Sequence, residues 1–418
     1  MIDIVTPGTN QNRAQRKCSQ RSLALRSATR LLAAAALALT PLFASAFDLQ
    51  GHRGDLLLRR AARLLAAAAL ALTPLFASAF DLQGHRGDLL LRRAARLFAA
   101  AALALTPLFA SAFDLQGHRG ARGLAPENTL PAFAAALSLG VSTLELDTAI
   151  TKDGVVVVSH DARLNPDITR GTDGRWLNAS TRAVRELTLD DLGHFDVGRI
   201  KPGSDYSRRF PDQKRMDKVY MPTLAQVFQL ARRAGNSEVR FNIEIKTSPE
   251  KPGDTLAPED FVRGLLALIE REGMTSRVII QSFDWRALKS MQELAPKIPT
   301  SYLSAQQRFL DNIAAGKAER SAWTAGIQFS DHGSIPKMVK AAGGAIWSPN
   351  YPELSAELVK EAHALGLQVV PWTVNKTEDM ARLIDWGVDG LITDRPDFLR
   401  EVMAEKKLPL PKPTPVTP

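Results

Sequence analysis

The sequence predicts a TIM-like (β/α)8 barrel, an α/β fold that begins near residue 113. From Phe113 onward, short β-branched runs alternate with amphipathic helical runs, and eight such strand–helix units occupy about 295 residues. Polar side chains stand where the predicted strands end, at the edge of the barrel that carries active sites in this fold. The alternative is a doubly wound open sheet, but the Gly-rich phosphate loop that such a sheet typically carries after its first strand is missing here.

The individual elements follow from local patterns. Helical runs place apolar residues three or four positions apart and end at glycines such as Gly140 and Gly235. The predicted strands are residues 113–118, 143–150, 155–161, 239–246, 277–283, 299–305, 345–350, 367–374 and 389–396. The predicted helices are residues 128–140, 223–235, 258–273, 285–295, 335–344, 355–366, 376–387 and 397–407.

The predicted barrel spans residues 113–405. One segment within it and one segment after it depart from the alternation of strands and helices. Residues 161–221 form a long polar stretch after the second strand and its hairpin, and we expect this insertion to lie over the mouth of the active site. Residues 406–418 are rich in proline and show no core pattern, so they are predicted to form an extended, disordered tail.

Residues 1–112 form a leader built from a 33-residue repeat. The string FDLQGHRG occurs at residues 47–54, 80–87 and 113–120, and each copy follows a basic flank, an apolar run and an Ala-Ser-Ala triplet. This combination is typical of a secretory signal peptide, and the run of about 13 apolar residues is shorter than a membrane span needs. We expect recognition by the export machinery, cleavage after Ala112, no stable membrane span, and a periplasmic location in a Gram-negative cell or secretion otherwise.

The triplication of the leader has several interpretations. A 33-residue period also occurs in solenoids, but these copies contain no second amphipathic helix. A disordered or membrane-adhering leader that is never removed is another alternative. We favour a tandem duplication, or a start codon assigned too far upstream. Because the third copy alone continues into a globular sequence, His118 is a candidate for chemistry, whereas His52 and His85 are not.

Charge and cysteine content exclude several functions. Residues 1–112 hold 14 basic and 5 acidic side chains, and the remainder holds 39 of each, so the net charge of +9 belongs to the leader. The neutral remainder gives no electrostatic basis for nucleic-acid binding. The single cysteine, Cys18, excludes a disulfide framework, a cysteine metal site and a cysteine nucleophile from the folded part.

Three acidic residues predict a site for a divalent metal ion. Glu145 and Asp147 are two positions apart in a strand and therefore face the same side. Glu244 ends the neighbouring barrel strand and supplies a third oxygen ligand. An all-oxygen set suits Ca²⁺ or Mg²⁺ rather than Zn²⁺. The alternative is that one of the glutamates merely pairs with Lys246 or an arginine.

A histidine is expected beside these carboxylates. Asp153-Gly154 predicts a two-residue hairpin turn, in which the numbers of facing residues sum to 307 and His160 faces Asp147. An isolated histidine is more often structural, but this register places His160 near the proposed metal. Two histidines, His118 and His160, suit phosphodiester cleavage, one accepting a proton and the other donating one.

Two basic residues are candidates for binding the phosphate. Arg119 follows His118 at the end of the first strand, and a guanidinium group binds phosphate through two parallel hydrogen bonds. The alternative for Arg119 is a salt bridge at the strand end. Lys246 shares a strand face with Glu244 and is the second candidate.

Taken together, these motifs resemble those of the glycerophosphodiester phosphodiesterases. The resemblance covers about Asp114 to Arg400, and later segments at 281–283, 372–375 and 389–394 look like the same family. The tripled leader is the departure from the pattern. The motifs that carry the resemblance are Gly117-His118-Arg119-Gly120, Pro126-Glu127-Asn128-Thr129, Glu145-x-Asp147, His160-Asp161 and Glu244-x-Lys246.

The resemblance implies a barrel enzyme that hydrolyses small-molecule glycerophosphodiesters to glycerol 3-phosphate and an alcohol. It implies His118 and His160 as the acid/base pair, and Arg119 on the phosphate. Trp372 would line the glycerol or headgroup pocket, unless it is a core tryptophan. The insertion and the export signal are similar to the secreted branch that uses Ca²⁺. The implied ligands of the divalent metal ion are Glu145, Asp147 and Glu244.

Two other functions remain open at this stage. A barrel phospholipase of the phosphoinositide or sphingomyelin type, acting on intact lipid, would need an apolar rim around its active site. The insertion around Tyr206 and Phe210 is more polar than that. A non-catalytic extracellular protein that binds glycerophosphodiesters would be indicated by loss of a histidine or metal carboxylate, and all five are present.

Overall fold

The computed structural model describes residues 113–179 and 182–418, so the predicted leader, with His52 and His85, lies outside the described residues. Eight parallel strands and one short antiparallel strand form a single sheet in this part of the chain. The strands are β1 Asp114–Gly117, β2 Thr143–Ile150, β3 Val156–Val158, β4 Arg240–Ile245, β5 Val278–Ser282, β6 Thr300–Ser304, β7 Ile346–Pro349, β8 Gln368–Val369 and β9 Gly390–Thr393.

The parallel strands curl into a barrel. Strand β1 pairs with β2 on one side and with β9, the last strand, on the other. The remaining gap, between β8 and β9, is bridged by backbone hydrogen bonds from Asp389 to Val369 at 2.9 Å and from Ile392 to Pro371 at 3.0 Å. The predicted barrel is therefore confirmed, and the open doubly wound alternative is excluded because its first and last strands would not meet.

Helices follow every parallel strand on the outside of the barrel, and two short helices lie in the insertion between β3 and β4. They are α1 Leu130–Leu139, α2 Leu189–Leu192, α3 Asp205–Arg209, α4 Leu224–Arg233, α5 Pro258–Arg271, α6 Trp285–Leu294, α7 Phe329–His332, α8 Ile335–Ala341, α9 Ala356–Ala364, α10 Thr377–Asp385 and α11 Pro396–Glu405.

Side-chain caps and apolar faces explain where the long helices begin and how they pack. Thr129 caps α1, and Thr223 caps α4 together with Gln226 in a reciprocal capping box. The apolar faces pack on the barrel, as in the edge-to-face contact of Phe228 with Phe241 at 4.8 Å between ring centres. None of the helices in the described residues is both long and apolar enough to cross a membrane.

The β2–β3 hairpin differs in register from the prediction. Thr148 faces Val158, so the numbers of facing residues sum to one less than predicted. Ser159 rather than His160 lies across from Asp147, and the Ser159 N–H donates to the Asp147 carbonyl at 3.0 Å. The predicted facing pair of His160 and Asp147 is therefore wrong by one residue.

The turn of this hairpin explains the shift. It contains three residues rather than two, because the N–H of Thr151 donates to the carbonyl of Val155 at 3.0 Å. The Thr151 hydroxyl accepts a second bond from the Val155 N–H at 2.9 Å. Gly154 has a φ of +79°, the left-handed conformation that three-residue hairpin loops require. His160 follows β3 and is no longer part of the ladder.

The predicted insertion forms a small subdomain with its own apolar cluster. The cluster joins it to the β2–β3 hairpin, and the two short helices α2 and α3 lie within it. These helices were not predicted, because residues 161–221 were interpreted only as a long polar insertion. The buried members of the cluster are Ala149, Val157, Leu164, Val184, Leu187 and Leu192.

The C-terminal tail differs from the predicted disorder. Residues 406–418 follow the last helix and form neither strand nor helix. They nevertheless lie against the outer layer of the barrel. The N–H of Thr414 donates to the carbonyl of Leu137 at 2.8 Å, at the end of α1. Leu408 and Val416 pack against the main core. These two apolar side chains anchor the proline-rich tail to the main core.

Candidate active site

The predicted site residues converge at the carboxyl ends of the barrel strands. A cavity of about 560 Å³ opens there, and residues of the insertion also line it. Asp147 lies beside the cavity, in contact with its lining residues. The predicted residues that line the cavity are His118, Arg119, Glu145, His160, Glu244, Lys246 and Trp372.

Three carboxylates form a buried cluster at the bottom of this cavity. Oxygen atoms of Glu145, Asp147 and Glu244 lie within 4.8 Å of one another, and each residue is less than 7% exposed. Strand register produces the cluster, because Asp147 in β2 faces Glu244 in β4 and Glu145 lies two positions before Asp147.

Burial, together with mutual repulsion, perturbs the ionisation of the cluster. Burial and the neighbouring Asp147 raise the pKa of Glu145 well above its ordinary value. Burial raises the pKa of Glu244 to about 7, although Lys246 acts in the opposite direction. Burial also opposes ionisation of Asp147, but Lys246 and Arg119 hold its pKa well below the usual range. Three carboxylates in this arrangement cannot all ionise without further positive charge.

The cluster fits a hard divalent cation. All of its donor atoms are carboxylate oxygens, the ligands that Ca²⁺ and Mg²⁺ prefer. Oδ1 of Asp147 is buried and accepts no well-formed hydrogen bond, although the Lys246 ammonium lies 3.1 Å away. Lys246 also pairs with Glu244 at 2.7 Å, so the predicted alternative pairing is present. A divalent ion would compete with Lys246 for the same oxygens.

Neutral donors hold the carboxylates in place. The N–H of Arg119 and the side-chain amide of Gln281 each donate to Glu145 at 2.8 Å. The amide of Asn128 donates to Asp147 at 2.9 Å. Arg119 has a φ of +50°, which is uncommon for a residue other than glycine and directs its N–H at Glu145. Asn128, a member of the Pro126-Glu127-Asn128-Thr129 motif, therefore supports the cluster through a direct contact.

His118 is held by the carboxylate of Asp394, which the sequence analysis gave no role. Its Nδ1 lies 2.6 Å from Oδ1 of Asp394, and the amide of Asn375 donates to the other oxygen of Asp394 at 2.7 Å. Its Nε2 lies 3.8 Å from Glu145. Burial and the Arg122 guanidinium lower the pKa of His118 to about 4, although Asp394 raises it.

His160 reaches the same cavity from the insertion side. Its Nδ1 lies 3.0 Å from Oδ1 of Asp161, whose other oxygen accepts a bond from Asn165 at 2.8 Å. Burial, Arg119 and Lys246 lower the pKa of His160. Both histidines therefore have Nδ1 engaged by a carboxylate, which leaves Nε2 for a ligand.

Arg119 and Trp372, predicted to bind the phosphate and to line the pocket, both line the cavity. Each also contacts other side chains or backbone atoms of the protein. Arg119 donates to Glu127 at 2.6 Å and lies 3.3 Å from Asp147, so the alternative strand-end ion pairs also exist. Trp372 is half-buried, donates to the Ser348 carbonyl at 2.9 Å, and packs edge-to-face on Phe283. Trp372 is therefore a wall residue rather than a fully buried core tryptophan.

A network from the insertion to His118 was not predicted. Arg122, one turn beyond His118, donates to both oxygens of Asp394 at 2.9 and 3.1 Å. Tyr206 of α3 accepts from Arg122 at 3.2 Å and donates a short hydrogen bond to Glu127. The spacing of Arg122 from His118 is a signal that could have found it, whereas nothing in the sequence locates Tyr206 against the barrel.

Comparison with known proteins decides the family. A sequence profile of the glycerophosphoryl diester phosphodiesterase family matches residues 118–398. The chain belongs to this family. It is therefore an enzyme that hydrolyses glycerophosphodiesters, and the resemblance drawn from its motifs is confirmed.

Individual relatives in the family align with this chain over most of their own length. A glycerophosphodiester phosphodiesterase from Caldanaerobacter subterraneus subsp. tengcongensis is 31% identical over 274 residues, which are 66% of this chain and 90% of the relative. A second, from Bacillus subtilis, is 29% identical over 287 residues, 68% of this chain and 83% of that one.

Solved structures of the family share the fold. A structure from Silicibacter pomeroyi to which the same activity is attributed has 37% identity and a TM-score of 0.64, covering 72% of this chain and 96% of its own. A phosphodiesterase structure from Oleispira antarctica has 21% identity and a TM-score of 0.51, covering 70% of this chain and 97% of its own. At the latter identity the likeness supports the fold alone.

The Tyr206 contact predicts that the insertion positions the catalytic machinery. Tyr206→Phe removes the hydroxyl that bonds Glu127 and Arg122 but keeps the ring that packs on Phe210. We expect kcat to fall by roughly 3–30-fold, since a hydrogen bond to a charged group is lost, with KM changing less. Steady-state kinetics and a thermal melt measure the two effects.

Tyr220→Phe is the matched control, because Tyr220 lies in the same insertion, is 49% exposed and does not line the cavity. The control should keep the kcat of the unaltered protein. An unchanged kcat in Tyr206→Phe, or a loss of kcat that merely follows a loss of folded protein, would show that Tyr206 has no positioning role.

Proposed function

We propose that the protein hydrolyses glycerophosphodiesters to sn-glycerol 3-phosphate and a free alcohol, with His118 and His160 as the acid/base pair. One observation carries the proposal: both histidines line the same cavity, next to the cluster of three carboxylates. The Nδ1 atom of each histidine lies beside a further carboxylate. The Oleispira antarctica phosphodiesterase was solved with sn-glycerol-3-phosphate as its product, which is the product that we propose here.

The environment of the histidines suits proton transfer. In the free protein the pKa of each imidazole is lowered, so both are neutral at pH 7 and can accept a proton on Nε2. A bound phosphate anion favours the protonated form of the imidazole next to it, which supplies the acid. One histidine then takes the proton of the attacking hydroxyl, and the other protonates the departing alcohol oxygen.

The attacking group has two candidates. It is either water or the glycerol hydroxyl next to the ester, and in the second case water opens a cyclic phosphate afterwards. Both routes break the bond between phosphorus and the headgroup oxygen, and both need one base and one acid. The paired histidines serve either route.

We propose Ca²⁺ as the ion held by Glu145, Asp147 and Glu244, with Mg²⁺ as the alternative. The buried oxygen-only ligand set and the raised pKa values of both glutamates support a cation at this place. When bound, such an ion stabilises negative charge on the phosphate. It also lets all three carboxylates ionise together.

The remaining roles follow from position. Arg119, which is buried, and Lys246, which is half-buried, line the cavity next to the cluster, and we propose that they bind the phosphate oxygens. Trp372 presents a half-buried ring to the same space and would contact the glycerol or headgroup carbons. Asp394 and Asp161 are positioning residues, since each acts through a histidine.

We further propose that the leader directs export and is removed after Ala112. The basic flank, the short apolar run and the Ala-Ser-Ala triplet support this. Expression of the full chain in a Gram-negative host should yield periplasmic protein, and its intact mass should correspond to a start at Phe113. A cytoplasmic, full-length product would contradict the proposal.

The proposed chemistry is tested by product release from glycerophosphocholine. The purified protein should release sn-glycerol 3-phosphate and choline in equal amounts. His118→Ala and His160→Ala should each lower kcat by roughly 10²–10⁴-fold with the fold intact, because each removes one proton-transfer group. The matched controls are His52→Ala and His85→Ala, which alter the same FDLQGHRG string in the first two copies and should keep full activity.

Two other outcomes would redirect the assignment. Turnover of intact phosphatidylcholine with none of glycerophosphocholine would favour the phospholipase alternative. Binding of glycerophosphocholine without release of either product would favour the non-catalytic alternative. Loss of activity in His52→Ala or His85→Ala would contradict the choice of the third copy.

A further inference from the structure

A chain of side-chain amides crosses the interior of the barrel and ends at the carboxylate cluster. Asn242, in the middle of β4, donates to the side-chain oxygen of Gln116 in β1 at 2.8 Å and to that of Gln281 in β5 at 3.0 Å. Gln281 in turn donates to Glu145 at 2.8 Å. Gln116 donates to Asp114 at 2.8 Å. The three amides therefore connect two acidic residues, one at each end of the chain.

Strand register brings these amides together. Asn242 lies two positions before Glu244, and Gln116 lies two positions before His118, so each shares a strand face with a residue of the site. Gln281 lies beside Glu244 in the register of β4 and β5. Each of the three amide residues is only 1% exposed. The interior of such a barrel is usually filled by branched apolar side chains, so three buried amides depart from the usual packing.

The two acidic ends fix the direction of every hydrogen bond in the chain. An ionised carboxylate can only accept, so Gln281 turns its NH2 group to Glu145 and its oxygen to Asn242. Gln116 is oriented in the same way by Asp114 at the other end. Asn242 therefore faces an oxygen on either side and donates through both of its side-chain N–H bonds. It is the residue at which the polarity of the chain reverses.

Asn242 holds this orientation although its own oxygen is left without a partner. Its Oδ1 is buried and accepts no hydrogen bond from the described residues. A buried acceptor without a partner is unfavourable. Rotating the amide by half a turn would instead place this oxygen against those of Gln116 and Gln281. The orientation of Asn242 is therefore set by the two glutamines rather than by hydrogen bonding of its own oxygen.

The far end of the chain is anchored at the amino end of the barrel strands. Oδ2 of Asp114 lies 2.8 Å from the guanidinium group of Arg240, and Oδ1 accepts from the hydroxyl of Thr143 at 2.7 Å. Thr143 and Arg240 lie side by side in the register of β2 and β4. Asp114 is thus held as a fixed acceptor, and the direction of the amide chain follows from it.

We propose that Asn242 is a positioning residue for the metal site, although its side chain does not line the cavity. By donating to Gln281, it keeps the NH2 group of that glutamine turned to Glu145, which fixes the orientation of the carboxylate toward a cation. Without Asn242, the Gln281 amide can rotate and present its oxygen to Glu145 instead. This inference rests on the proposed function, because the cation at the cluster is part of it.

Calorimetric titration of the chelator-treated full chain with Ca²⁺ tests this role. Gln281→Leu removes the direct donor to Glu145 and should weaken Ca²⁺ binding by roughly 10–100-fold, the range typical of groups that orient a metal ligand. Asn242→Leu acts one bond further away and should weaken binding by roughly 3–10-fold. The double variant should bind Ca²⁺ no more weakly than Gln281→Leu alone, because Asn242 acts through Gln281. Asn242→Ala, which removes the amide without adding bulk, gives the same comparison if the leucine variant does not fold.

Asn312→Leu is the matched control. Asn312 is another fully buried asparagine, and its amide donates to the backbone carbonyls of Phe283 and Leu303. This variant should lower the melting temperature, as Asn242→Leu does, because each removes buried hydrogen bonds. It should nevertheless keep the Ca²⁺ affinity of the unaltered protein. A comparable loss of affinity in Asn312→Leu would show a general effect of losing a buried amide and would overturn the positioning role.

Three further results would overturn the proposal. They are an unchanged Ca²⁺ affinity in a folded Asn242 variant, single effects that multiply in the double variant, and no Ca²⁺ binding by the unaltered chain. Release of sn-glycerol 3-phosphate from glycerophosphocholine is measured on the same preparations. If the unaltered chain binds Ca²⁺ without releasing product, the proposed function fails, and the binding data still decide the role of Asn242.

Discussion

The architecture of the site depends on one constraint, the burial of three carboxylates side by side. The parallel register of β2 and β4 fixes Glu145, Asp147 and Glu244 at the end of the barrel, where water cannot separate their charges. Like charges buried this closely are unfavourable unless cations and hydrogen-bond donors surround them. The side chains around the cluster supply these cations and hydrogen-bond donors.

These side chains form successive layers around the carboxylates. Lys246 and Arg119 contact the carboxylates directly, and Gln281 and Asn128 orient individual oxygens. Beyond them, Arg122 connects Asp394 and His118 to Tyr206 of the insertion. The insertion and the loop after β6 both contribute residues to the lining of the cavity.

The barrel and its acidic cluster could be predicted because both depend on short-range periodicity. Alternating strands and helices define the fold, and a separation of two residues places Glu145 and Asp147 on one face. The hairpin register was off by one because the Thr151 hydroxyl stabilises a three-residue turn that the Asp153-Gly154 pair does not reveal. Contacts between distant segments, such as that of Tyr206 with Glu127, leave no local signal in the sequence.

Calcium binding by the carboxylate cluster tests the account most directly. Isothermal titration of the chelator-treated full chain should show one Ca²⁺ bound per chain, with glycerol 3-phosphate release restored in the same concentration range. Glu244→Gln, which keeps the shape of the side chain but removes one charge, should weaken binding by roughly tenfold or more and lower the rate accordingly. Undiminished turnover by thoroughly metal-free protein, or Ca²⁺ binding unaffected by Glu244→Gln, would contradict the central role given to the cluster.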